Sequence, residues 1–333
     1  MKLLVTGGLG FIGSNLIRYL LNKHDDVQVT NLDNLSIGSN PANLGDVELD
    51  KRYRFVKGDV TNTKLVKKLM NEVDTVVNLA AETHVDRSIS NPQPFFKSNT
   101  FGAFNLLEVA RKASVDVFLH VGTDETYGAS LQAKAFDESD RLDPSNPYSA
   151  SKAAADMFVV AYHKTYGLKT IITRCTNNFG PYQFPEKFIP KTIIRALLNL
   201  KIPLYGSGKQ IRDWIYVTDH CEAIDLALRK GSPGETYNIS AGNMLENARM
   251  AEQILTLLGK SRKMIESVED RPGHDMEYSL DSSKIRHNLG WRPKHSLEEA
   301  LKQTVDWYIK NERWWKPLAT ERTLHPVPWK LKW

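Results

Sequence analysis

The chain has 333 residues, 41% of them hydrophobic and 25% charged, with a formal net charge of +5. That length suffices for two domains, or for one large domain with a cap, while no Lys/Arg run is dense enough to mark a nucleic-acid surface. No apolar run approaches the ~20 residues of a membrane span, so no membrane partner is expected.

Strand 2–6 opens the chain without a leader before it, which makes the cytoplasm the expected location. Short β-branched runs then alternate with amphipathic stretches. The pattern predicts further strands at 27–32, 53–57, 75–79, 116–121 and 169–174, and helices at 11–21, 65–70, 95–112 and 148–166. Such alternation argues for parallel βαβ units and hence an α/β fold, a doubly wound parallel sheet with helices on both faces. After Arg174 the character changes. Residues 177–187, punctuated by glycine and prolines, read as a loop. Next come a helix at 188–199, a Gly-rich turn at 205–208, a strand at 213–217, a helix at 219–228, a strand at 236–239 and a helix at 247–258. A final helix, 296–310, opens with Ser296 and Glu299 at capping-box spacing. The tail from Arg313 to Trp333 is basic and Trp-rich but carries too little pattern to assign. Cys175 and Cys221, the only cysteines, lie in apolar-periodic segments and read as buried free thiols. No Cys/His cluster has metal-site spacing.

Thr6-Gly-Gly-Leu-Gly-Phe-Ile-Gly13 follows a strand and opens a helix. Its glycines permit a tight turn and close backbone approach to a pyrophosphate, and the helix dipole favours the anion. The expected organisation is therefore a Rossmann domain over 1–178, partly rejoined by 209–239, with a smaller C-terminal substrate-binding lobe over 179–333. Asp33 ends the second strand, where a carboxylate accepts from a ribose diol and repels a 2′-phosphate, so NAD is favoured over NADP; a plain turn residue is the alternative. Gly7, Gly10, Phe11, Ile12 and Gly13, and Asp33 with Asn34, Leu35 and Ser36 after it, are the candidate cofactor contacts. Asp59 and Val60 follow the third strand, where Asp59 reads equally well as a helix cap. Leu79, Ala80, Ala81 and Glu82 close the fourth strand, and Asn99 lies in the helix beyond.

Strand 116–121 delivers Thr123, Asp124 and Glu125 together at its carboxyl end, the edge at which α/β sheets bind ligands. Tyr148 and Lys152 are spaced i, i+4, so one helix face would stack phenol above ammonium, and a nearby cation favours a phenolate. Either group alone suits a solvated surface. Together they offer a redox base and an acid/base carboxylate pair, in which Asp124 must stay neutral to act as an acid.

The glycine motif with Tyr148-x-x-x-Lys152 resembles the extended short-chain dehydrogenase/reductase superfamily. Within it, Leu79–Ser88, Thr123–Gly128, Asn177–Lys187, Arg212–Val217 and Asp270–Asp275 resemble the dTDP-glucose 4,6-dehydratases. That resemblance implies dehydration of dTDP-glucose to dTDP-4-keto-6-deoxyglucose, in deoxysugar biosynthesis, with NAD regenerated in each cycle and Thr123, Asp124, Glu125, Tyr148 and Lys152 catalytic. It adds Asn178 to the cofactor contacts and implies substrate contacts at Thr83, Arg87, Asn177, Lys187, Phe188, Ile189, Pro190, Tyr205, Arg212, Asn247, Arg271 and His274. It also implies a homodimer paired through helices 95–112 and 148–166. The chain departs from the family pattern at Ile37, where an aromatic is usual, and at Phe179, where tyrosine is usual. The runner-up activity is a UDP-sugar 4-epimerase or decarboxylase. A non-catalytic dinucleotide sensor would need neither carboxylate.

Overall fold

Leu3, Leu4 and Val5 are fully buried, yet Leu3 and Val5 pack on one face of the sheet and Leu4 on the other. Alternation along a strand covered on both sides requires this. A computed structural model describes residues 1–113, 115–130 and 134–333. Its strands are β1 (Lys2–Thr6), β2 (Gln28–Asp33), β3 (Tyr53–Lys57), β4 (Thr75–Asn78), β5 (Val117–Thr123), β6 (Thr170–Cys175), β7 (Asn177–Phe179), β8 (Ile202–Tyr205), β9 (Ile211–Tyr216), β10 (Thr236–Ile239), β11 (Met244–Glu246) and β12 (Ile265–Val268). Seven of them form one parallel sheet in the order β10-β6-β5-β4-β1-β2-β3. This is the Rossmann-like α/β architecture. The order reverses between β1 and β4, and a crevice opens there at the carboxyl ends of the strands.

On one face, helix Phe11–Lys23 packs Leu16, Ile17 and Leu20 with Ile224 and Leu228 of helix Val217–Lys230. On the other, helices Thr63–Met70, Gly102–Ala113 and Pro147–Tyr166 cover Leu4, Val76, Phe118 and Ile172. A separate apolar cluster, built on Phe179, Ile189, Ile193, Trp214, Ile254 and Tyr308, forms the core of the C-terminal lobe, where β11-β9-β7 and β12-β8 make two small sheets.

Several elements differ from the pattern reading. Asn177–Phe179 is a strand, not loop, and pairs in parallel with β9. Three residues are too few to show a period, and the partner that makes them a strand is remote in sequence. Phe96–Phe101 forms a wide π-helical segment before helix Gly102–Ala113. Helices Val85–Ser90 and Ser283–Leu289 carried no sequence signal clear enough to mark them. The capping box at Ser296 and Glu299 is present, and Cys175 and Cys221 are free and buried. The tail folds back as short turns that bury Trp315 and Trp329. Among the described residues, no helix is long and apolar enough to cross a membrane.

Candidate active site

Two glycines shape the turn between β1 and the first helix. Gly7 sits at φ +71°, and a Cβ there would come within 2.8 Å of the Ala80 backbone; at Gly13 a Cβ would lie 2.4 Å from Gly7 O. Only hydrogen fits at either place, so the turn stays tight and Gly10 begins the helix facing the crevice. The crevice is lined by Gly7, Gly10, Phe11, Ile12, Gly13, Asp33, Asn34, Ser36, Val60, Leu79, Ala80 and Ala81, and by Asn178 at its far side. Buried Asp33 accepts from Leu9 N and Leu35 N and keeps lone pairs for a diol. The cradle and this carboxylate fit a dinucleotide.

Four candidate cofactor contacts stand behind the crevice wall. Leu35, at φ +61°, packs toward the sheet core. Asp59 accepts from Thr61 and Asn34, while the cap of helix Thr63–Met70 is Asn62. Glu82 pairs with Arg87 at 2.8 Å, and Asn99 bonds Glu82 O and Ser151 Oγ, bracing the β4 loop from within.

At the carboxyl end of β5, Thr123 caps a short turn and its hydroxyl donates to Asp124 Oδ1 at 3.1 Å. Asp124 is 3% exposed, and among the described residues its Oδ2 has no partner. Burial first, and adjacent Glu125 second, push this carboxyl up to about 8. Glu125 is also raised by burial, against the pull of Arg271, Arg212 and Lys187. Burial and the Glu125 charge hold the Tyr148 phenol well above its ordinary value, with Thr123 opposing. Lys152 donates to Val121 O at 2.7 Å and lies beside His120, and among the described residues no hydrogen bond joins its ammonium to the Tyr148 phenol. The strand carbonyl, an acceptor no sequence pattern reveals, claims that ammonium. All five residues line the same crevice.

A second cleft opens under the lobe, lined by Phe188, Tyr205, Arg212, Asn247, Arg271 and His274. Thr83, Glu125, Asn177, Glu186 and Lys187 line both clefts and mark where they meet. Buried Asn177 Oδ1 has no partner among the described residues, and Lys187 donates to Thr83 O at 2.6 Å. Arg212 lies over the Tyr278 ring at 4.3 Å, and Tyr278 in turn donates to Asp275 and reaches Glu125 at 3.5 Å. His274 accompanies Asp270 at 2.6 Å, with burial lowering it to about 4. Three candidate substrate contacts lie elsewhere. Ile189 and Pro190 are buried in the lobe helix Phe188–Leu197, and Arg87 is committed to Glu82 and Glu186.

Residues 4–304 match the family model described as GDP-mannose 4,6 dehydratase. The chain belongs to that family. A dTDP-glucose 4,6-dehydratase of Streptomyces niveus is 45% identical over 96% of each chain. The low-salt glycan biosynthesis protein Agl12 of Haloferax volcanii is 48% identical over 94% of this chain and all of its own. Among solved structures, DesIV of Streptomyces venezuelae, a dTDP-glucose 4,6-dehydratase crystallised with NAD, matches with a TM-score of 0.94 and 45% identity, covering 96% of this chain and 100% of DesIV.

Several residues of this dehydratase-family cleft escape a reading of the sequence. Asp86, Glu186, Trp214 and Tyr278 line the lobe cleft, and Asp86 holds Arg271 at 2.8 Å across 185 positions of sequence. Asp86 and Glu186 lie inside the segments that carry the family resemblance, beside the more conspicuous Arg87 and Lys187. Nothing local distinguishes them.

Proposed function

We propose that this chain is an NAD-dependent dehydratase that converts dTDP-glucose to dTDP-4-keto-6-deoxyglucose and feeds deoxysugar synthesis. The observation that carries the proposal is buried Asp124 in one crevice with Glu125 and Tyr148, where that crevice meets the lobe cleft; burial holds its carboxyl in the neutral form. The hexose occupies that junction, with its nucleotide half in the lobe. Arg212, Arg271, His274 and Asn247 surround the diphosphate and ribose, and Phe188, stacked on Trp214 with centroids 6.0 Å apart, offers an apolar wall to the base. Thr83, Asn177 and Lys187 face the sugar.

Bound NAD⁺ would be cradled by Gly7, Gly10, Gly13 and Asp33, and supplies a reversible acceptor for the C4 hydride, later delivered to C6, with a positive charge that favours the Tyr148 phenolate. Tyr148 Oη takes the proton of the sugar 4-hydroxyl. The resulting ketone acidifies C5–H, and Glu125 takes that proton as the C5–C6 double bond forms. Asp124 gives its proton to the C6 hydroxyl, which leaves as water. Glu125 then returns its proton to C5. Each cycle leaves Tyr148 one proton richer and Asp124 one poorer, and the Thr123 hydroxyl lies beside Asp124 to carry the proton back. An epimerase needs no acid at C6, which is why the carboxylate pair favours dehydration.

Residues 1–178, with part of 209–239, are assigned to cofactor binding and most of 179–333 to the nucleotide sugar; membership of β10 in the main sheet supports this. Phe96, Phe101, Met157, Phe158 and Tyr166 are large, exposed and carried by 93–113 and 147–166, which supports a homodimer across those helices. We place the enzyme in the cytoplasm. Incubation with dTDP-glucose and UDP-glucose, with products resolved by mass, tests the activity. Loss of one water from dTDP-glucose is the expected result, and isomerisation of UDP-glucose without water loss would overturn the proposal.

A further inference from the structure

The Trp-rich tail closes over the outer wall of the lobe cleft. Pro328–Lys330 forms a short turn that buries Trp329. Trp333 donates its indole N–H to Pro328 O at 2.9 Å, and its carbonyl accepts from Asn91 at the end of helix Val85–Ser90. Trp329 meets the ring of Tyr205 edge-on, with centroids 4.8 Å apart and planes at 83°. The Tyr205 hydroxyl donates to Asp86 Oδ2 at 2.8 Å, and Asp86 Oδ1 accepts from the Arg271 guanidinium, also at 2.8 Å. Side chains from four remote segments thus form one continuous line, from the tail to a cation on the cleft wall.

Each contact in this line has a physical consequence. Asp86 is 2% exposed, so a carboxylate that holds an arginine there needs donors for its remaining lone pairs, and Tyr205 provides one. A tyrosine ring turns about two torsions unless its flank is filled; the edge of Trp329 fills it and keeps the hydroxyl on Asp86. Arg271 Nε is buried and has no partner among the described residues, so one side of the guanidinium stays available to an anion while Asp86 holds the other. Tyr205 lines the cleft, but its hydroxyl is already engaged by Asp86, so it serves the site through that carboxylate.

The geometry points to the tail as a strut: Trp329, through Tyr205 and Asp86, positions Arg271 for the diphosphate of a nucleoside-diphosphate ligand. This rests on the nucleotide-sugar reading above and adds positioning residues to it, none of which touches reacting atoms. Calorimetric titration of the full chain with dTDP tests the strut without turnover, and steady-state kinetics with dTDP-glucose tests it in the reaction. Trp329→Ala is expected to weaken dTDP binding and raise KM about tenfold, with kcat changed less than about twofold and NAD affinity unchanged. Trp329→Phe should recover most of the loss, because a ring edge again fills the space. Tyr205→Phe keeps the ring and removes only the hydroxyl, so it should weaken dTDP binding in the same direction; it carries the test if the alanine variant does not fold. Unchanged dTDP affinity in the variants, loss of NAD affinity in equal measure, or no recovery with phenylalanine would overturn the strut. A wild-type chain that binds dTDP but leaves dTDP-glucose unconverted would sink the proposed activity alone.

Discussion

At the scale of single residues, the decisive contrast is between two neighbouring carboxyls. Asp124 is buried at the crevice wall, and among the described residues its Oδ2 has no partner, whereas Glu125 faces three cations, Arg271, Arg212 and Lys187. Environment thus separates two similar acids into a proton donor and a proton acceptor. Replacing Asp124 with Asn, or Glu125 with Gln, should lower dehydration by about 10²-fold or more while C4 oxidation persists. Rapid mixing with dTDP-glucose, following reduced-cofactor absorbance and released water separately, checks this. Equal loss of both steps would remove the division of labour. The pH dependence has a definite sign. An ordinary aspartate releases its proton near 3.8, but the folded chain holds this one to about 8. Protonated Asp124 is the active acid, so kcat should fall as pH rises through about 8. The same linkage means this group's contribution to stability declines between those two values, because only the unfolded chain has released the proton. A kcat that keeps rising past pH 9 would contradict a neutral Asp124.

At the scale of elements, the first βα turn shows how a local motif and a packed structure depend on each other. Gly13 is required because the carbonyl of Gly7 sits where its Cβ would project, and Gly7 because Ala80 of the β4 loop presses on it. Gly13→Ala should therefore push the helix start away from the crevice. NAD affinity should drop at least about tenfold, read by titration, while far-ultraviolet circular dichroism stays close to wild type. Retained affinity would mean that the helix shifts without disturbing the cradle. The π-helical segment Phe96–Phe101 works differently: it sets Asn99 against both Glu82 and Ser151, so the β4 loop and helix Pro147–Tyr166 share one brace.

For the whole molecule, the sheet core and the lobe core flank the two clefts, and the tail packs against Tyr205 on the outer wall of the lobe cleft. Phe96, Phe101, Met157, Phe158 and Tyr166 expose apolar side chains on 93–113 and 147–166, the feature on which the proposed homodimer rests. Sedimentation should give twice the chain mass for the wild type. Phe101→Asp combined with Met157→Glu should shift the population to monomer, lower the thermal midpoint and make it independent of concentration. A wild type that sediments as a monomer at micromolar concentration would end the dimer assignment.

The strands around the glycine turn, the parallel sheet they imply and the cluster Thr123–Glu125 were legible in the sequence, because each rests on contiguous residues whose period or spacing survives without the fold. Contacts between distant segments were not. Nothing near Lys152 in sequence shows that its ammonium is claimed by Val121 O, and nothing near Arg87 shows that Glu186 holds it from 99 positions away. Asn177–Phe179 is a strand only because β9 lies beside it. The tail has no period at all, yet Trp329 finds Tyr205 in the folded chain. Local chemistry, written in neighbouring residues, determined which groups the chain carries; which of them are neutral, paired or free to meet a ligand depended on burial and long-range contact, which tertiary structure alone creates.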